Sequence, residues 1–130
     1  MIDVGQPERY TQRRIVKLFQ DDLKYRYLGN WEERLNNSNI EEGLLRNYLI
    51  DQAEYPGVLV NRAMYKLQSE ALNHDRSLYE NNKEVYKLLR YGIPVSSNPG
   101  DKYQTLHLID WANPERNNFA FAEEVTIKGN

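Results

Sequence analysis

The sequence contains no cysteine. That excludes a disulfide framework, cysteine zinc sites and thiol nucleophiles, and it fits a reducing compartment. No apolar run approaches the roughly 18 residues of a spanning helix, and mean hydropathy is −0.82, so no membrane span is expected. The opening residues, Met1-Ile2-Asp3-Val4-Gly5-Gln6, lack the basic-then-apolar pattern of a secretory signal. The chain reads as cytoplasmic. Neither sign of charge is in excess, with 17 Lys and Arg against 19 Asp and Glu. A strongly basic footprint for nucleic acid is therefore missing, which neither excludes DNA contact nor supports it. No G-x-G-x-x-G or Walker lysine pattern occurs, and no serine sits in a nucleophile elbow. The two histidines, His74 and His107, are too few and too far apart for a dedicated zinc site. His107 reads as a structural residue of an alternating strand, and His74 as a favourable partner for a helix C-terminus.

What is present describes one domain over 1–130, long enough to bury a core unaided. Aromatic residues make up 12% of the chain and hydrophobic residues 40%, which argues against disorder. Four helical segments come first, over about residues 7–91. Pro7 suits a helix start, and Ile15, Val16, Phe19 and Leu23 recur at helical spacing, predicting a helix near 7–23. Segment 25–37 reads as an irregular link pinned by Tyr25, Tyr27 and Trp31. Ser38-Asn39-Ile40-Glu41 matches a capping box, followed by the apolar stripe Ile40, Leu44, Leu45, Tyr48 and Leu49. Pro56 opens a third helix, with Val60, Ala63, Met64, Leu67 and Ala71 on one face to about Asn73. A fourth runs from about Ser77 to Tyr91, with Val85, Leu88 and Leu89 inward and Gly92 as its stop.

After Gly92 the period changes. Ile93-Pro94-Val95-Ser96 and Tyr103–Trp111 flank the turn Asn98-Pro99-Gly100-Asp101 and predict a hairpin. Residues 112–118 form a second turn, and Phe119–Ile127 a third strand. The expected class is α+β: four helices over about 7–91, then an antiparallel strand meander over about 93–128. The outer edge of strand 119–127 has no later strand to pair with, and proteins rarely leave such edges bare. Either Ile93–Val95 wraps round to cover it, or another chain does, or the chain is cut from a longer protein. The cut is the favoured explanation, with another copy covering the edge or the edge left mobile.

Carboxylates and scattered cations are the candidate chemistry. Glu41 is either a capping-box partner or a metal-site carboxylate, and Glu42 reads as its solvated neighbour. Glu123 and Glu124 lie in a strand, where alternation lets only one face inward; charge that blunts an exposed edge is the simpler reading. Arg13, Arg14 and Lys17 on the first helix and Lys87 and Arg90 on the fourth could face phosphates, or form solvated helix faces.

Five colinear blocks carry a resemblance. They are Tyr25-Arg26-Tyr27-Leu28-Gly29-Asn30-Trp31; Ser38-Asn39-Ile40-Glu41-Glu42-Gly43-Leu44-Leu45; Tyr86-Lys87-Leu88-Leu89-Arg90-Tyr91-Gly92-Ile93-Pro94-Val95; His107-Leu108-Ile109-Asp110-Trp111 with Asn113-Pro114; and Asn117-Asn118-Phe119 with Ala122-Glu123-Glu124-Val125-Thr126. In this order, from about Tyr10 to Gly129, the chain resembles the extreme N-terminus of the restriction (R) subunit of type I restriction-modification enzymes. The resemblance implies an incomplete PD-(D/E)XK nuclease core from a subunit that also carries an ATP-driven DNA translocase. It implies assembly with methylation and specificity subunits on double-stranded DNA. Mg²⁺ and ATP are implied for the intact subunit, with none bound by this portion. Glu41 matches the carboxylate that an early helix often supplies in that fold. The family's Pro-Asp and Glu-X-Lys elements belong to strands after the one ending near Ile127 and do not occur here, so these 130 residues alone are expected to be inactive. The competing reading is a non-catalytic module that docks a partner protein or DNA.

Overall fold

The computed structural model describes residues 6–126. Within these residues, four α-helices and four short strands form an α+β arrangement in the order α1 (Gln6–Lys17), β1 (Arg26–Asn30), α2 (Glu42–Asn47), α3 (Gly57–Ala71), α4 (Leu78–Tyr91), β2 (Ile93–Val95), β3 (Gln104–Leu106) and β4 (Ala120–Glu123). The helices α1 and α2 each run on into a single wide π turn, Leu18–Asp22 and Tyr48–Gln52. The chain divides into two compact units. One is formed by residues up to Asn39 together with those from Asn118, and the other by Ile40–Asn117.

In the Ile40–Asn117 unit, α3 is the centre. Val60, Ala63, Met64 and Leu67 recur three and four residues apart and are buried, as the apolar stripe predicts, while Leu59 joins them and Ala71 is only half-buried. Leu49, Ile93, Val95, Leu106 and Leu108 close the core around them. Each such side chain contributes roughly 1.5–3 kcal/mol when taken out of water. The strands β2 and β3 pair antiparallel, Ile93 opposite Leu106 and Val95 opposite Gln104, which is the expected hairpin. β3 is shorter than the alternation implied. At His107 the backbone amide leaves the ladder and donates to the Tyr55 hydroxyl at 3.0 Å. Leu89, expected inward, is partly exposed at 37%.

The turn between α3 and α4 is held by side chains. Ser77 caps α4 by accepting from the Glu80 amide at 3.2 Å. Buried Asn81 donates to the carbonyls of Ala71 (3.4 Å) and Asn73 (2.9 Å) and accepts from Arg76 Nε at 3.1 Å. Arg76 also reaches the Glu70 carboxylate at 2.7 Å, and Lys66 reaches it at 2.9 Å. Hydrogen bonding from Lys66, then from Arg76, holds the Glu70 pKa below its ordinary value. A depressed carboxylate contributes stability above its unfolded pKa and loses it as pH falls through the lower folded value. The urea midpoint of this unit should therefore drop as pH falls below the ordinary carboxylate value of 4.5, and Glu70→Gln should flatten that slope. An unchanged slope in the variant would show that Glu70 carries none of it.

The first unit is built differently. Here β4 pairs in parallel with β1, Arg26 opposite Ala120 and Tyr27 opposite Phe121, with an irregularity before Asn30 pairs with Glu123. Gly29, at φ +102°, sits in that irregularity. Backbone bonds from Arg26 to Phe119 (3.0 Å) and from Trp31 to Glu123 (2.8 Å) flank the pair. This corrects two expectations. Segment 26–30 is a strand rather than an irregular link, and β4 does not extend the hairpin into an antiparallel meander. The partner is selected by aromatic contacts. Tyr25 stacks on Phe119 with centroids 4.9 Å apart, Tyr27 lies 5.2 Å from Phe121, and Phe19 meets Phe121 edge-on at 5.4 Å. β4 ends at Glu123 because Glu124 turns to φ +51°. The expected continuation to Ile127 lies outside the described residues.

Candidate functional site

Glu41 is half-buried and occupies the N-cap position of α2 with no capping hydrogen bond from its side chain. The helix begins only at Glu42, so the capping box read from Ser38 to Glu41 does not open it. Just upstream, Asn37 is buried, donates to the Trp31 carbonyl at 3.0 Å and accepts from Arg34 at 2.9 Å. Residues 39 and 40 follow as a bend. Glu42 is exposed, as expected of a solvated neighbour, and it also ties α2 to α3. It accepts from Arg46 at 3.1 Å and from Gln68 at 3.0 Å, and these bonds, that from Arg46 first, lower its pKa.

Arg13, Arg14 and Lys17 are all exposed along α1. Arg14 lies 5.9 Å from the centre of the Tyr10 ring. Arg13 lines a polar cleft of about 460 Å³ shared with Arg9, Gln12, Asn30, Glu32, Glu123 and Glu124. Within it Glu123 accepts from Gln12 Nε2 at 3.0 Å and from the Tyr27 hydroxyl. The bond to Glu123 is the main cause of a raised Tyr27 pKa. A carboxylate fixed by two donors beside two guanidiniums is a positioned polar group, whereas the strand pattern had suggested edge charge. The partners Gln12 and Tyr27 lie 111 and 96 residues away, so no local pattern marks them.

Lys87 and Arg90 are exposed on α4, in the Ile40–Asn117 unit. Lys87 pairs with Glu84 at 3.1 Å. Arg90 lies over the rings of Tyr91 (5.7 Å) and Trp111 (5.2 Å) at the mouth of a cavity of about 530 Å³. The cavity wall is organised by Asn117. Its Oδ1 accepts from the Tyr48 hydroxyl (3.0 Å) and the Asp110 amide (2.8 Å), and its Nδ2 donates to the carbonyls of Asp110 and Pro114, both at 3.0 Å. Burial, then the nearby Asp110 charge, pushes the Tyr48 pKa up. His107, read as a structural histidine, is exposed at the rim of this cavity; its backbone amide is the anchored part. His74 is exposed in the turn after α3.

Among the described residues, no three His, Asp or Glu side chains converge to hold a metal ion. The donors among the described residues do not by themselves fit a metal site. No helix of the described residues is long and apolar enough to cross a membrane.

A polar cleft on α1 and β4 and an aromatic, cationic cavity beside α4 thus belong to one α+β chain. The family model for the N terminus of type I restriction enzyme R proteins matches residues 5–130. The chain belongs to that family. No curated protein and no solved structure matches it.

Proposed function

We propose that the chain is the front part of the nuclease domain of a type I restriction R subunit, an incomplete PD-(D/E)XK core. The family match over 5–130 is the observation that carries this reading. In the intact subunit, Mg²⁺-dependent cleavage of double-stranded DNA accompanies ATP-driven translocation, in a cytoplasmic complex with the methylation and specificity subunits. Glu41 is the supporting carboxylate at the start of α2, and the Pro-Asp and Glu-X-Lys elements come from sequence outside these 130 residues. On this reading the 130 residues alone do not cut DNA, because clustered carboxylates and a lysine near the attacking water are needed together. The second edge of β4 takes the Pro-Asp strand in the intact subunit, or another copy in this portion alone. Arg13, Arg14, Lys17, Lys87 and Arg90 neutralise phosphates.

The test uses the intact R subunit with its partner subunits. Glu41→Ala should abolish plasmid cleavage while duplex affinity is kept, and cleavage at the unmodified rate would overturn its role. Replacing Arg13, Arg14 and Lys17 with glutamine should weaken duplex binding. It should also make the slope of log affinity against log salt shallower, by up to about 0.9 for each phosphate that is no longer neutralised. An unaltered slope would remove α1 from the DNA surface.

A further inference from the structure

The cavity beside α4 has a volume of about 530 Å³, within the roughly 300–1,000 Å³ of small-molecule sites. Its mouth joins flat rings to cations. Tyr91 and Trp111 are 68% and 52% exposed, which for large aromatics is area left available to a ligand. Trp111 is nonetheless held in place, because its indole N–H donates to the Leu89 carbonyl at 3.2 Å. Arg90 lies over both rings, and Arg116 stands on the wall. The one carboxylate of the wall, Asp110, is engaged with its own loop. It accepts from the Asn113 amide at 2.9 Å and stands 4.0 Å from Arg116 Nε. Two guanidiniums against one carboxylate leave the wall net positive.

These properties restrict the occupant. A purely apolar ligand would cover the guanidiniums without a counter-charge, at a desolvation cost. A bare inorganic anion would leave the rings wet. A ligand that presents a flat face to the rings and an anion to the arginines satisfies both, and a nucleotide has that form: bases stack on aromatic side chains whatever their identity, and phosphate matches the guanidinium fork. We propose that this cavity binds one unstacked nucleotide, its base against Trp111 and Tyr91 and its phosphate on Arg90 and Arg116. A base inside a duplex has both faces covered by its neighbours and does not offer them to the rings. The proposal shares Arg90 with the duplex-contact reading above, so duplex DNA forms a separate arm of its test.

The 130-residue chain carrying Trp31→Phe, in which tryptophan emission comes from Trp111 alone, is titrated with AMP, a short single-stranded oligothymidylate and a duplex. Calorimetry on the unmodified chain repeats each titration independently of that substitution. Saturable quenching by AMP or by the single strand is expected, the tighter of the two identifying a free nucleotide or a strand as the source. In calorimetry, which does not depend on the Trp111 emission, Trp111→Ala and Arg90→Gln should each weaken binding by at least about fivefold, the lower end of a base–aromatic stack. No binding by either ligand, or variants that bind equally well, would overturn the site. Duplex binding retained under those outcomes would leave the duplex reading standing while this one falls.

Discussion

Gly92→Ala should cost the Ile40–Asn117 unit about 2–6 kcal/mol, read as a fall in its urea midpoint. Gly92 ends α4, its amide bonded to the Leu88 carbonyl at 3.0 Å, with φ 89° and ψ 173°. That region of backbone space is essentially restricted to glycine, and a side chain there costs roughly 1–3 kcal/mol. The added Cβ would also lie 2.5 Å from Thr105 Cγ2, 3.0 Å from His107 Nδ1 and 3.1 Å from the Leu106 carbonyl oxygen. Thr105 and Leu106 belong to β3, so relieving the clash means pushing the hairpin away from the end of α4, at a further roughly 1–3 kcal/mol. Gly43→Ala is the control. It lies in α2 with nothing within 4 Å of the new Cβ, and stability should hold or rise. Equal effects at the two positions would show that the left-handed geometry at Gly92 matters little.

Asn117→Ala should be nearly as damaging, at about 2–4 kcal/mol. The amide makes four hydrogen bonds, and one of them is the partner of the Tyr48 hydroxyl, on a residue only 8% exposed. A buried hydroxyl left without a partner costs about 1–3 kcal/mol by itself, and the loop from Asp110 to Asn117 loses its internal ties. Tyr48→Phe removes the orphaned group. In a double-mutant cycle the pair should therefore be less destabilised than the sum of its members, with a coupling of about 0.5–3 kcal/mol. Strict additivity would show that the hydroxyl and the amide do not act together. The same loop carries Asp110 and Trp111, so its loss should also reshape the cavity wall.

Much of the helical part was legible in the sequence. Pro56 precedes α3, Ser77 caps α4, and the buried residues of α3 are four of the five predicted stripe residues, with Leu59 added and Ala71 only half-buried. The hairpin after Gly92 followed from its turn residues. Local rules reach these features because each depends on neighbours a few residues away. The capping-box pattern misplaced the start of α2 for a related reason. Ser38 and Glu41 have the right spacing, but Asn37 is drawn into bonds with Trp31 and Arg34, and the helix starts later than the motif requires.

The candidate site was less legible. The cations were readable as cations, yet nothing in the pattern distinguished Arg90, stacked on Trp111, from Lys87, paired with Glu84. Glu123 was visible as a carboxylate but not as one gripped by Gln12 and Tyr27. Asn117 looked like a turn residue and proved to hold the cavity wall together.

Sequence alone thus determined the family, most of the α3 stripe and the hairpin, because each is written in residue types or in short spacings, whereas Ile15, Leu23 and Leu89 of the other predicted stripes are exposed. Tertiary structure alone decided that β4 lies parallel to β1, which residues surround Glu123, and which rings Arg90 covers. Those choices are made by side chains that meet across about 20 to more than 100 residues of chain, where the geometry of the whole unit, rather than any local preference, sets the partner.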